Sequence, residues 1–150
     1  MILYDYVLSA SCYKVRLMAA LLDLPLDTRA ENIHPARENN SADILRLNPK
    51  GTLPILQDGD VILTDSEDIL RHLVQHTPDW QVDDGTWLAF AQSLTASLGL
   101  ARLHDILNYE ADIDAARRAG VQQLRQLEAH LTEQRFDDLI FLTGPTPTIA

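Results

Sequence analysis

The period of the apolar positions changes several times along the chain. Ile2 to Leu8 is short, β-branched and aromatic, and predicts a strand. The small polar break Ser9-Ala10-Ser11 follows. From Cys12 to Leu22, Val15, Met18, Ala19 and Leu22 recur at helical spacing, Leu17 and Leu21 widen the stripe, and Pro25 ends it. Leu26 to Ile33 predicts a weaker second strand and His34 to Ser41 a polar loop. Ala42 to Leu47 predicts a short helix that stops before Asn48-Pro49, because a residue before proline is pushed out of the α region. The apolar runs Leu53 to Gln57 and Val61 to Thr64 flank Asp58-Gly59-Asp60, a hairpin signal. Ser66 to His76 places Ile69, Leu70, Leu73 and Val74 on one helical face.

Two strands joined through a helix favour a parallel, right-handed crossover, whereas the last two form an antiparallel hairpin. The expected first domain, 1–77, is therefore α/β with a mixed sheet. After Thr77 the residues Pro78, Asp79, Asp83, Asp84 and Gly85 read as a polar linker over 78–85, and the remainder, 86–150, reads as all-helical. Trp87 to Leu107 carries Leu88, Ala91, Leu94, Leu98 and Ala101 at helical spacing. Ala115 to Leu131 carries Ala119, Val121, Leu124, Leu127 and Leu131.

Composition narrows the function classes. With 150 residues and 46% hydrophobic, the chain can bury a sizeable core and is neither a disordered tail nor a rod. Twelve Lys and Arg against 22 Asp and Glu leave a net charge of −10, so no broad basic surface exists for nucleic acid or an anionic membrane. The single cysteine, Cys12, forms no disulfide within the chain and fits a reducing compartment. No apolar run approaches ~20 residues, and the start lacks the basic region of a signal peptide. The expectation is a soluble cytoplasmic protein. The five histidines and one cysteine show no metal-ligand spacing, and no Gly-rich phosphate loop occurs, so neither a metal nor a nucleotide is expected.

Three segments carry candidate chemistry. Ser9-Ala10-Ser11-Cys12 lies between the first strand and first helix, where helix N–H groups favour an anion such as a thiolate. Its spacing is that of a redox Cys-x-x-Cys with Ser9 in place of the first cysteine. A serine turn that merely caps the helix would look the same. Pro54, in Gly51-Thr52-Leu53-Pro54, opens a strand, and a cis bond there would present the Leu53 backbone to an extended peptide ligand; alone, it reads as a proline at a strand edge. Thr64-Asp65-Ser66-Glu67 matches a capping box, and Ser66 could also donate to a ligand carboxylate while Asp65 attracts an ammonium. His34, Arg37 and Lys50 are cations near the same face, and each by itself reads as a solvated loop residue.

In combination, Ser9 to Arg16, Asn48-Pro49-Lys50-Gly51-Thr52-Leu53-Pro54 and Asp65-Ser66 resemble the ligand-site motifs of the cytosolic glutathione transferases. The resemblance implies an N-terminal thioredoxin-like domain, a helical C-terminal bundle and glutathione as co-substrate. It also implies a small electrophilic second substrate and a homodimer with the helix from Ser66 near the interface. By motif position Ser9 is the catalytic serine of serine-type classes, with Ser11 and Cys12 as neighbouring alternatives and Tyr4 and Tyr6 as weaker ones. Leu53 pairs with the cysteinyl backbone of glutathione beside Pro54, and Asp65 and Ser66 hold the γ-glutamyl end, with His34, Lys50 and Thr52 around them. The second substrate is expected between the domains, beside Leu100, Arg102 and His104. Phe141 to Ala150 resembles a segment in which Thr148 is a helix N-cap, and the chain stops before the helix it would start, so a truncated C-terminal domain is expected. Two further readings stay open: a non-catalytic glutathione-binding module and a glutathione-dependent cis/trans isomerase of the zeta kind.

Overall fold

The computed structural model describes residues 1–75, 77, 80 and 85–149. The chain divides into two compact units, Met1–Thr77 and Pro78–Ala150. Most of the expected linker, 78–85, lies outside the described residues.

The first unit runs β1 (Ile2–Asp5), α1 (Ala10–Leu21), β2 (Asp27–Ala30), a 3₁₀ turn (Glu38–Asn40), α2 (Ala42–Leu47), β3 (Ile55–Asp58), β4 (Val61–Leu63) and α3 (Ser66–Val74). The sheet order is β2-β1-β3-β4, with β1 parallel to β2 and antiparallel to β3, and β3 antiparallel to β4. This is the thioredoxin-like arrangement. Several elements are shorter than their apolar runs. β1 stops at Asp5 rather than Leu8, because the chain turns there and the Ser9 N–H donates to the Tyr6 carbonyl at 2.9 Å. β3 begins at Ile55 rather than Leu53, since Pro54, joined to Leu53 by a cis bond, has no N–H to offer a ladder. β2 spans only Asp27–Ala30, exposed throughout, as befits an edge strand.

Both faces of the sheet are covered. Side chains alternate along a strand, so Tyr4 and its register partner Ile55 share one face and pack with Ile44 of α2, flanked by Leu47 and Leu53. Leu3 and Leu56, also partners, point to the other face, as does Asp5, which bonds Arg16 of α1. There α1 buries Cys12, Val15, Met18 and Ala19 and packs with α3, which buries Ile69, Leu70, Leu73 and Val74. Each fully buried Leu, Ile or Val side chain stabilises by about 1.5–3 kcal/mol. His72 Nε2 lies 2.9 Å from Asp58 Oδ2 and ties α3 to the hairpin.

The second unit contains α4 (Thr86–Leu94), a π-helical turn (Thr95–Gly99), α5 (Leu100–Leu107) and α6 (Ile113–Phe136). One continuous helix was expected over Trp87 to Leu107, and the chain is helical throughout from Thr86 to Leu107, with the ladder widening to a π turn at Thr95–Gly99. The Thr95 and Ser97 hydroxyls donate to the Ala91 and Ser93 carbonyls at 3.0 Å each, in competition with backbone N–H groups. No helix among the described residues is long and apolar enough to cross a membrane. On α6 Ala116 and Gly120 are buried, whereas Val121, Leu124 and Leu131 of the apolar stripe are exposed. Gly120 lies close against the π turn. A Cβ at Gly120 would collide with Leu98 Cδ2 and lie 2.7 Å from Cγ. Asp112 caps α6 by accepting from the Ala115 N–H at 2.9 Å, and the His130 ring holds the Leu142 carbonyl at 2.7 Å. The Thr143 hydroxyl donates to Thr148 Oγ1 at 3.0 Å.

Removing a glycine from a helix interior gains roughly 1 kcal/mol, but overpacking costs about 1–3 kcal/mol. The contact with Leu98 includes its branching carbon, so the cost wins. Gly120→Ala should lower stability by up to about 2 kcal/mol, read from the urea midpoint; an unchanged midpoint would show that the two helices part without cost.

Candidate functional site

The strand register gathers the motif segments at one end of the sheet. Tyr4 pairs with Ile55, so the chain leaving β1 and the Leu53-Pro54 pair entering β3 are neighbours. Leu56 pairs with Leu63, so Thr64-Asp65-Ser66 leaves β4 at the same end. The parallel partner β2 aligns Ala30 with Asp5, and the Glu31 N–H donates to the Asp5 carbonyl at 2.8 Å, which starts the loop carrying His34 at this end too. Residues far apart in sequence are thus delivered to one rim by hydrogen-bond register.

Ser9 is the N-cap of α1, with extended backbone (φ −79°, ψ 120°). Its Oγ accepts from the Cys12 N–H at 3.2 Å. A hydroxyl has one hydrogen to donate, and because this bond uses a lone pair, the Ser9 O–H remains available as a donor at the helix N-terminus. Ser11 is half-buried in the first turn of α1. Cys12 is fully buried, and burial pushes its thiol above the ordinary range, with the Ser9 side chain and Tyr6 backbone partly opposing. Tyr4 is turned into the core, its hydroxyl 3.4 Å from Gln57 Oε1, while Tyr6 is half-buried in the turn.

The loop before Leu53 is organised by a residue that sequence reading did not single out. Asn48 is 2% exposed; its Nδ2 donates to the Thr52 carbonyl at 2.8 Å and Oγ1 at 2.9 Å, and its Oδ1 accepts from the Lys50 N–H at 3.1 Å. Its place inside the motif was the only available signal. Gly51 has φ +61°, and an added Cβ would meet the Asn39 carbonyl at 3.0 Å. Leu53 is half-buried and Pro54 buried, while Lys50, Thr52 and His34 are exposed.

At the start of α3 the cap is Asp65, not Thr64 as the capping-box pattern suggested. Asp65 Oδ1 accepts from the Glu67 and Asp68 N–H groups at 2.8 and 3.3 Å. A carboxylate directly before the helix reaches these groups with full charge, which the Thr64 hydroxyl lacks. Ser66 is the first helical residue and half-buried. Lys14 of α1 comes near this helix start: burial lowers its pKa, and the charges of Glu67 and Asp65 oppose that shift. Local spacing in sequence carried no sign of this approach.

In the second unit, Leu100, Arg102 and His104 all lie on α5. Leu100 and His104, four residues apart, share a face and are half-buried, whereas Arg102 is exposed on another. His104 Nδ1 lies 2.9 Å from the Tyr109 carbonyl.

Residues 3–81 match the family model described as the glutathione S-transferase N-terminal domain, and the chain belongs to that family. It is 35% identical over 77 residues to glutathione S-transferase Z1 of Arabidopsis thaliana, a match covering 51% of this chain and 34% of that protein. It is likewise 35% identical over 81 residues to a probable maleylacetoacetate isomerase of Vibrio cholerae, covering 52% and 37%. These matches span only about a third of the curated relatives. The crystal structure of a glutathione S-transferase from Xanthobacter autotrophicus Py2 is similar with a TM-score of 0.82 at 27% identity, covering 99% of this chain and 76% of that one.

The raised thiol pKa of Cys12 links stability to pH. The folded chain holds this proton more tightly than the unfolded one, so the contribution is fully present below about pH 8.5 and is lost as pH rises through the folded value. Urea midpoints of wild type should therefore fall on the alkaline side, and Cys12→Ala should flatten that fall. An identical alkaline slope in both proteins would assign it to other groups.

Proposed function

We propose that the chain binds glutathione and stabilises its thiolate for attack on an electrophilic, mostly apolar substrate. The observation that carries this reading is the convergence of Ser9, Leu53-Pro54 and Asp65-Ser66 at one sheet end in a member of the glutathione S-transferase N-terminal domain family. A free thiol with a pKa of ~8.5 is only a few per cent ionised near neutrality, and each unit of lowering corresponds to ~1.36 kcal/mol of preference for the thiolate. In this scheme the Ser9 hydroxyl and the α1 N-terminus provide that preference. The Leu53 N–H and C=O pair with the cysteinyl backbone beside Pro54. Ser66 and the N–H groups of α3 hold the γ-glutamyl carboxylate, and Asp65 holds the ammonium through the oxygen not committed to its helix. Thr52, Lys50 and His34 frame the rest of the tripeptide, and Leu100, Arg102 and His104 are the candidates for the second substrate. The buried state of Cys12 favours Ser9 over the thiol as the group that meets the ligand.

The likeness to a probable maleylacetoacetate isomerase favours a second reading, in which the same thiolate adds to a cis-diketo acid and departs after bond rotation. Assays with a chlorinated aromatic, an epoxide and a maleyl diketo acid separate transferase from isomerase. Glutathione binding without turnover of any of them marks a binding module. The reading includes a cytoplasmic homodimer, for which sedimentation at micromolar concentration is the direct check of assembly.

Calorimetric titration of glutathione into wild type and Ser66→Ala should show a loss of about 1–3 kcal/mol, because a carboxylate loses a charge-assisted bond. Ser9→Ala should leave affinity nearly intact but raise the pKa of the bound thiol. If neither substitution changes glutathione binding or thiol ionisation, this end of the sheet is not the site.

A further inference from the structure

One contact at this end of the sheet joins groups that have no part in the ligand scheme. Asp5, the last residue of β1, is 9% exposed, and its Oδ1 accepts from Arg16 Nη1. Between the two partners the chain passes through the whole turn that carries Ser9 and then about two turns of α1. The ion pair thus straps β1 to α1 across Ser9. Within the strap, the hydrogen bonds on Ser9 among the described residues are local: its N–H donates to Tyr6, its carbonyl accepts from the Tyr13 N–H at 2.9 Å, and its Oγ accepts from the Cys12 N–H. Those bonds shape the turn but do not hold α1 against the strand. Apolar burial of Cys12, Val15, Met18 and Ala19 seats α1 on the sheet, and the Asp5–Arg16 pair adds a polar tie between β1 and α1, with Arg16 further placed over the Tyr13 ring, 5.9 Å from its centroid. A buried carboxylate is tolerated only when paired and hydrogen-bonded, so this pair differs from the exposed Arg46–Asp43 pair on α2.

We infer that the Asp5–Arg16 pair is a positioning element that sets where the Ser9 hydroxyl donates, and so tunes ionisation of a thiol held there. The inference rests on the role of Ser9 proposed above. Direct charge and position act with opposite signs. If Asp5 acted through space, removing its negative charge would leave Arg16 uncompensated and lower the thiol pKa. If it acts through Ser9, loosening the strap weakens the hydrogen bond to the thiolate and raises the pKa, since small misplacements cost large factors in rate.

The test is titration of the ultraviolet thiolate absorbance of glutathione bound to wild type, Asp5→Asn, Ser9→Ala, the double variant and Arg16→Lys, with kcat and KM for a chlorinated aromatic. Asp5→Asn should raise the thiol pKa by about one unit and lower kcat about tenfold, with KM for glutathione changed less than about twofold. The double variant should match Ser9→Ala, because the strap acts through Ser9. Arg16→Lys keeps the charge but loses the planar fork, and should shift the pKa in the same direction. Thermal melting of each variant guards against unfolding, and Arg16→Lys carries the test where Asp5→Asn does not fold. A lowered pKa, additive effects in the double variant, or a change in KM alone overturns the inference. If Ser9→Ala raises the pKa and neither strap variant does, only the strap falls. If wild type shows no thiolate band, or Ser9→Ala leaves the pKa unchanged, the role of Ser9 fails and the strap with it.

Discussion

The mixed hydrogen bonding of β1, parallel to β2 on one side and antiparallel to β3 on the other, is the constraint on which the first unit depends. Parallel pairing requires a crossover, which α1 supplies over one face, and antiparallel pairing with β3 brings the start of that strand beside the end of β1. Addition of β4 returns the chain to the same end. A slip of one residue in β1 would exchange the faces of Leu3 and Tyr4 and send Asp5 away from Arg16. Core packing and site assembly therefore rest on one register.

Serine and cysteine at the β1–α1 turn divide the work by burial. Ser9 caps the helix through an acceptor lone pair and keeps its hydrogen. Cys12, three residues on, turns inward to fill the core, where a neutral thiol is favoured over a charged one. In the proposed scheme the same helix start stabilises the ligand thiolate, while burial favours the neutral form of the chain's own thiol.

Electrostatics here is short-ranged of necessity. A chain with net charge −10 repels an anionic ligand at a distance, and screening limits that repulsion to about a Debye length. In the proposed function, affinity comes from short-range donors: the hydroxyls of Ser9 and Ser66 and the N–H groups at two helix starts. The lowered pKa of Lys14 belongs to the same picture, a cation drawn partly out of water beside the acidic start of α3.

Local spacing in the sequence determined the order of elements, the apolar faces of α1 and α3, the short α2 and the hairpin, because each depends on residues a few positions apart. It also supplied the motif segments, whose residue types point to a thiol, a peptide backbone and a carboxylate. Tertiary structure alone decided how these meet, since register between distant strands is not written in any local period. It made Asn48 the organiser of the Leu53 loop and chose Asp65 over Thr64 as the cap of α3. It opened a π turn at Thr95–Gly99 where side-chain hydroxyls and the close approach of Gly120 act together. It also left Val121 and Leu124 exposed on α6 while burying Ala116 and Gly120, with Gly120 against Leu98 of the π turn where a Cβ has no room.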